Sequence, residues 1–169
     1  LPKQVLPFDH NEGAGFWWAN SLNTFTENVA ANCDRYGFRY EATPTSALKL
    51  TLPIAQPDGS LKSVDIRTLP FVRFDGNEAH SSDGLYGINL GECVNRVGPD
   101  ANHRFVVRNT KIWDVHYAFR PQTPSLLVEN MHLHRFVYGV YHPHFDNHVY
   151  RNLRLSEANA AEPFNRGHD

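Results

Sequence analysis

Five of the ten histidines in this 169-residue chain fall within 130–148, "NMHLHRFVYGVYHPHFDNH". Two kinds of chemistry compete for them. His142, His144, His148 and Asp146 lie within one short turn-like stretch, and imidazole with carboxylate suits a divalent metal such as Zn, Cu or Fe. Pro143 keeps that stretch extended, so His142 and His144 should point the same way. His132 and His134 are two apart and would share a strand face. With Lys111, Trp113 and Arg154 they could form a patch suited to an acidic sugar. The indole ring stacks on the sugar, the cations neutralise its carboxylate, and an imidazole moves a proton. A polysaccharide lyase uses such groups: Lys, Arg or His removes the proton beside a uronic carboxylate whose charge a cation offsets. A second set of acids, Asp34, Asp83, Asp114 and Glu157, could hold Ca²⁺ or act as the paired carboxylates of a glycoside hydrolase. The competing readings are an ordinary mixed polar face and a column of polar turn residues, for which Asp is favoured.

Which histidines meet depends on the elements that carry them. Composition narrows the choice. The net charge is −2, and neither a basic stripe nor a lysine run argues for nucleic acid or an anionic membrane surface. No apolar run approaches the roughly 20 residues of a membrane-spanning helix. Cys33 and Cys93 are too few for a disulfide framework and show no CxxC spacing. The chain opens without Met and without a charged-then-apolar leader, so the expectation is that any targeting signal has been removed or was never part of this sequence. No GxSxG, Walker A, HExxH or dinucleotide-binding glycine pattern is present.

The organising feature is a repeat. Tyr36-Gly37-Phe38, Tyr86-Gly87-Ile88, Tyr117-Ala118-Phe119 and Tyr138-Gly139-Val140 each place a small residue between an aromatic and an apolar one. About nine residues before each small residue stands Asn28, Asn77, Asn109 or Asn130, and a fifth copy runs from Asn152 to Ala161. The segments leading into these asparagines, "TFTEN", "RFDGN", "VVRN", "LLVEN" and "VYRN", also match. The last three asparagines are 21 and 22 residues apart, and the earlier intervals of 49 and 32 fit the same unit with insertions at 43–70 and near 91–103. The first insertion, with "ALKLTLPI", the turn "QPDGS" and "LKSVDIRTL", reads as a projecting β-hairpin.

This period, with short strands and no helical spacing, predicts an all-β parallel β-solenoid of about five coils spaced about 4.8 Å apart. A β-sandwich gives no reason for an Asn-to-small-residue distance kept in five copies. A leucine-rich repeat would need a leucine scaffold and a helical half. Stacked coils put like residues in columns. Asn tolerates left-handed backbone and can hydrogen-bond the next Asn. The Gly/Ala column marks a tight inner position.

Taking Asn as position zero, strand alternation places +1 and +3 inward and +2 and +4 outward. The outward set then contains Lys111, Trp113, His132, His134 and Arg154. His80 falls inward as a core histidine near Glu78. Arg108, Glu129 and Arg151, at −1, should form an ion ladder. His142 and His144 should lie on another side from His132 and His134, which argues against a single five-histidine site.

Three segments carry a family resemblance: "GAGFWWANSLNTFTENVAANCDRYGFRYEA" (13–42), "FDGNEAHSSDGLYGINL" (74–90) and "FVVRNTKIWDVHYAF" (105–119). Their "FWW" strand, "N-x-F-x-x-N-x-A-A" and "N-x-A-H-S" resemble the parallel β-helix region of the G8-domain family, which includes cell-surface and cell-migration-inducing hyaluronidases and fibrocystin-like proteins. The resemblance covers roughly 13–119, and no recognisable G8 domain accompanies it. It implies a right-handed parallel β-helix in a secreted, periplasmic or cell-surface protein with a polysaccharide or other glycan as ligand. The expectation is one β-helix domain over 1–169, a segment of a larger protein, that binds or processes carbohydrate, its coil ends covered by other domains or subunits. The alternative is a non-catalytic scaffold or assembly module with a divalent metal (Ca, Zn or Cu) on the His142–His148 turn.

Overall fold

The computed structural model describes residues 12–20, 22–42, 44, 49–69, 71–81, 86–91, 104–142 and 147–159. Strands β1 (Ala14–Trp18), β2 (Thr24–Thr26), β3 (Val29–Ala31) and β4 (Tyr36–Tyr40) are followed by β5 (Thr51–Ala55), β6 (Leu61–Asp65), β7 (Arg73–Asp75), β8 (Glu78–His80) and β9 (Tyr86–Leu90). Three long strands follow: β10 (Phe105–Pro121), β11 (Leu126–Val140) and β12 (His148–Ala158). Ten of these form one parallel sheet ordered β1-β4-β9-β10-β11-β12, with β2 and β3 carried on β7 and β8, and these in turn on β10. β5 and β6 pair antiparallel in a sheet of their own, from Thr51↔Asp65 to Ala55↔Leu61.

The single strand β10 pairs with β7 at Arg108↔Asp75, with β8 at Lys111↔Glu78 and with β9 at Tyr117↔Tyr86. Three short strands of one turn are therefore matched by one continuous strand of the next. The wrapping is that of a parallel β-helix, bent at two corners per turn. The corners are written in the backbone. Glu27, Gly76, Asn109, Asn130 and Asn152 have φ between 49° and 71°, and Asn32, Ser81, Asp114, Arg135 and Glu157 have φ between 51° and 54°. Ladder bonds continue through both bends: Glu27 N–H donates to Asp75 O at 3.0 Å, and Ser81 N–H to Trp113 O at 3.2 Å.

The anticipated asparagine column is real but divided. Asn130 Nδ2 donates to Asn109 Oδ1 at 3.0 Å, and Asn152 Nδ2 to Asn130 Oδ1 at 2.8 Å. Asn28 and Asn77 form a separate pair, Nδ2 to Oδ1 at 3.0 Å. They do not join the ladder, because Glu27 and Gly76 take the corner position in their turns and Asn77 falls opposite Thr110. Asn109 Nδ2 instead donates to Asp75 Oδ1 at 2.7 Å.

This one-residue offset corrects the face assignment of the first two copies, since a slip of one residue exchanges the two faces of a strand. Ala30 and Ala79 point inward, at 3% and 0% exposure, whereas Val29 is exposed and Glu78 and His80 face outward. In the later turns the expected alternation holds. Thr110, Ile112, Met131 and Leu133 are buried, while Lys111 and His132 are exposed.

The core consists of stacked like residues. Phe16, Phe38, Ile88, Phe119 and Val140 form one file across five strands. Phe16 and Phe38 stack at 4.7 Å between ring centroids. Tyr36, Tyr86, Tyr117 and Tyr138 stack at 5.1, 4.9 and 4.5 Å as a separate cluster. Glycine is required beside these files because the neighbouring turn fills its side-chain space. A Cβ on Gly37 would lie 2.6 Å from Gly87 O and 2.8 Å from Ala79 Cβ, and one on Gly87 would collide with Ile112 Cγ2 and lie 2.7 Å from Ala118 O.

Candidate functional site

Three strands build the outward face. Register places Lys111 beside His132 and His132 beside Arg154, and in the next file Trp113 beside His134 and His134 beside Ser156. Each step between strands is about 4.8 Å. The asparagine ladder lies two residues away along each strand, at a corner that turns the chain sharply. The corner leaves a groove of about 260 Å³ along the stack. Its floor is Asn109, Asn130 and Asn152 with Thr110 and Met131, and its wall is Lys111, His132 and Arg154.

Lys111 Nζ is 2.8 Å from Glu78 Oε1, so its charge is partly neutralised. Arg154 is exposed and has no ion-pair partner among the described residues. Among the described residues, no carboxylate lines the groove. The result is a concave strip with a net positive wall, a guanidinium without an ion-pair partner among the described residues, and a row of side-chain amides. Such a strip accepts hydrogen bonds from hydroxyls, donates them, and attracts a carboxylate.

Beside the groove, His134 Nδ1 lies 2.9 Å from Ser156 Oγ and His132 Nε2 lies 3.3 Å from the same oxygen. The two imidazoles therefore share one hydroxyl, with ring centroids 6.0 Å apart. His134 Nε2 is also 4.0 Å from Glu157 Oε2. Trp113 is half-buried, and one face of its indole carries the His80 imidazole, parallel at 4.2 Å and 7°. His80 Nδ1 is in turn 3.0 Å from Ser81 Oγ. His80 is therefore not the core histidine its position suggested. It belongs to the outward file and backs the indole.

The remaining expected sites separate clearly. Arg108 Nε contacts Glu129 Oε2 at 2.9 Å and Arg151 Nη1 contacts Glu129 Oε1 at 3.2 Å, which is the ion ladder. The supposed acid column is broken. Asp114 and Glu157 occupy the second corner with Arg135 between them, and Arg135 Nε pairs with Asp114 Oδ1 at 2.9 Å. Asp34 stands two residues beyond the corner residue Asn32, and Asp83 lies outside the described residues. That arrangement supports the polar-turn reading of these acids. His142 Nε2 and His148 Nδ1 approach to 2.6 Å, while His144 and Asp146 lie outside the described residues, as does Cys93. Among the described residues, no group of three or more His, Cys, Asp or Glu side chains converges as a metal site. Cys33 is a free thiol, and burial pushes its pKa up.

Spacing alone puts Glu78 and His80 on the wrong face and does not mark Arg135 as a corner residue. For His80 a signal was available: Gly76 in "DGN" suits a left-handed corner better than Asn77 does, which would have shifted the register by one. Arg135 offered none, because arginine is not a turn-forming residue.

No helix among the described residues is long and apolar enough to cross a membrane. No curated protein and no solved structure matches the chain significantly. Residues 3–85 match the family model described as CEMIP beta-helix. That segment contains Glu78 and His80 but ends before the groove wall begins, so it bears on the scaffold more than on the groove. Over residues 3–85 the chain is thus similar to the CEMIP beta-helix, in agreement with the resemblance carried by its "FWW" strand and "N-x-A-H-S" segment.

Proposed function

We propose that the groove along Asn109, Asn130 and Asn152 binds an acidic glycan laid parallel to the stack, and that the chain is the carbohydrate-handling part of a larger extracellular protein. The observation that carries this reading is the wall of Lys111, His132 and Arg154 on successive strands, with Arg154 lacking a partner among the described residues and no carboxylate in the lining. A sugar ring in the groove would reach the Trp113 indole through the surface not covered by His80. Lys111 and Arg154 would neutralise a uronic carboxylate. His132 or His134, each within reach of Ser156 Oγ, would take or deliver a proton. A groove wall of cations and imidazoles favours elimination, as in a polysaccharide lyase, over hydrolysis by paired acids.

The scaffold in this reading is a right-handed coil of about five turns forming one domain over 1–169, with 43–70 inserted as a hairpin. A non-catalytic assembly module is the second reading. It is favoured by β12, which pairs on one side only among the described strands and leaves Leu155 52% exposed.

The test is a titration with acidic and neutral oligosaccharides of equal length. The acidic series should bind, more weakly as salt rises, and Lys111→Ala with Arg154→Ala should abolish the preference. Ultraviolet absorbance of an unsaturated product would report elimination. Equal affinity for the two series would overturn the groove assignment, and concentration-dependent end-to-end stacking in sedimentation would then support the assembly reading.

A further inference from the structure

At the junction between β11 and β12, away from the groove lining, three rings collect. The centroids of His142 and His148 are 4.5 Å apart, and the Tyr150 ring lies 6.2 and 6.3 Å from them. In the preceding turns the inward positions of this file hold Phe105 and Leu126, then Val107 and Val128, all fully buried. In the last turn the same positions hold His148 and Tyr150. An apolar file therefore becomes polar at one point, although alanine or leucine would have continued the core.

Hydrogen bonding defines the tautomer of His148. Its Nε2 lies 2.6 Å from the carbonyl oxygen of Thr123, so that nitrogen must carry the proton and donate it. The other nitrogen, Nδ1, is left with its lone pair, and this lone pair faces His142 Nε2 at 2.6 Å. An imidazole whose far N–H is held by a backbone carbonyl, with its near lone pair aimed at a second imidazole nitrogen, is the usual arrangement of a histidine ligand and its outer support. His142 is exposed, which provides access from solvent. The Tyr150 hydroxyl beside them is buried and has no hydrogen-bond partner among the described residues.

We propose that His142 Nε2 and His148 Nδ1 are the two imidazole ligands of a transition-metal site that takes Zn²⁺ or Cu²⁺ in preference to Ca²⁺ or Mg²⁺. Neutral imidazoles select these borderline cations, whereas the hard cations require several oxygen ligands. A tetrahedral ion with bonds of about 2.0–2.1 Å would hold the two nitrogens about 3.3 Å apart. Rotation of the exposed His142 ring supplies that separation, while His148 stays fixed on Thr123. In the metal-free chain the same two nitrogens form a hydrogen bond donated by His142. Bound metal would clamp the end of β11 to the start of β12.

The test uses the full chain, titrated separately with Zn²⁺, Cu²⁺, Ca²⁺ and Mg²⁺ against a competing chromophoric chelator, with thermal unfolding recorded with and without each ion. Zn²⁺ and Cu²⁺ should bind one per chain and raise the unfolding temperature. His142→Ala, at an exposed position, should fold normally yet weaken binding by about tenfold or more and remove the thermal shift. Cu²⁺ electron paramagnetic resonance should show two imidazole nitrogens in the wild type and fewer in the variant. Equal metal affinity in wild type and His142→Ala, or stabilisation by Zn²⁺ that survives in a His142→Ala/His148→Ala chain, would overturn the assignment and leave the pair as a hydrogen bond only.

Discussion

Replacing Asn130, the middle member of the asparagine ladder, tests the stacking that every site assignment uses. Its side chain donates to Asn109 Oδ1 at 3.0 Å and accepts from Asn152 Nδ2 at 2.8 Å, and its backbone sits at φ 58°. Asn130→Ala removes both hydrogen bonds, at about 0.5–1.5 kcal/mol each. It also forces an alanine into the left-handed region, at roughly 1 kcal/mol more. The ladder is exposed, so water replaces part of the lost bonding and the lower end applies: about 2 kcal/mol in total. Asn130→Gly keeps the backbone conformation and loses only the bonds, so it should be less destabilising than alanine by about 1 kcal/mol. Urea unfolding followed by tryptophan fluorescence measures both. The reasoning fails if alanine lies within about 0.5 kcal/mol of wild type, or if glycine is as costly as alanine.

Three further outcomes follow from the same geometry. Gly87→Val should cost about 3 kcal/mol or prevent folding, because its side chain would meet Ile112 and the Ala118 carbonyl, whereas Gly59→Ala, with open space around it, should cost only the strain of a left-handed backbone at φ 82°, roughly 1 kcal/mol, in chemical denaturation. The Asn109 amide hydrogen bond, with Arg73 assisting, holds the Asp75 carboxyl below the usual carboxylate range. A lowered folded pKa stabilises the protein at neutral pH, and that contribution is lost as pH falls from about 4 through the folded value; Asp75→Asn should flatten this acid limb in thermal unfolding against pH. Trp113→Ala should weaken acidic-glycan binding by roughly three- to tenfold, the worth of one ring contact, without changing its salt dependence, as read by calorimetry at two ionic strengths.

Much of this architecture is legible in the sequence because a β-helix converts spacing into contact. Asn109, Asn130 and Asn152, at intervals of 21 and 22, do hydrogen-bond in a file. The small residues Gly37 and Gly87 do sit where a Cβ would strike the next turn. What misleads is that an asparagine can stand at a corner or just after one. Asn28 and Asn77 follow the bend, and that single offset brings His80 out of the core and onto Trp113. The second corner is illegible for a different reason. Its occupants, Asn32, Ser81, Asp114, Arg135 and Glu157, share a backbone conformation but no side-chain type. There the parallel ladders on either side impose the bend, and local preference has little say. The paired imidazoles at 2.6 Å were suggested by the crowding of histidines in 130–148, but their support from Thr123 comes from the turn before and has no signature in local spacing.

The groove is tested most directly by recording the imidazole carbon-bound proton resonances while an acidic oligosaccharide is added. His132 and His134, on the wall and beside it, should shift together and saturate, while His116 and His142 should not move. Saturating shifts confined to other histidines, or none at all at millimolar sugar, would contradict a glycan site on this face.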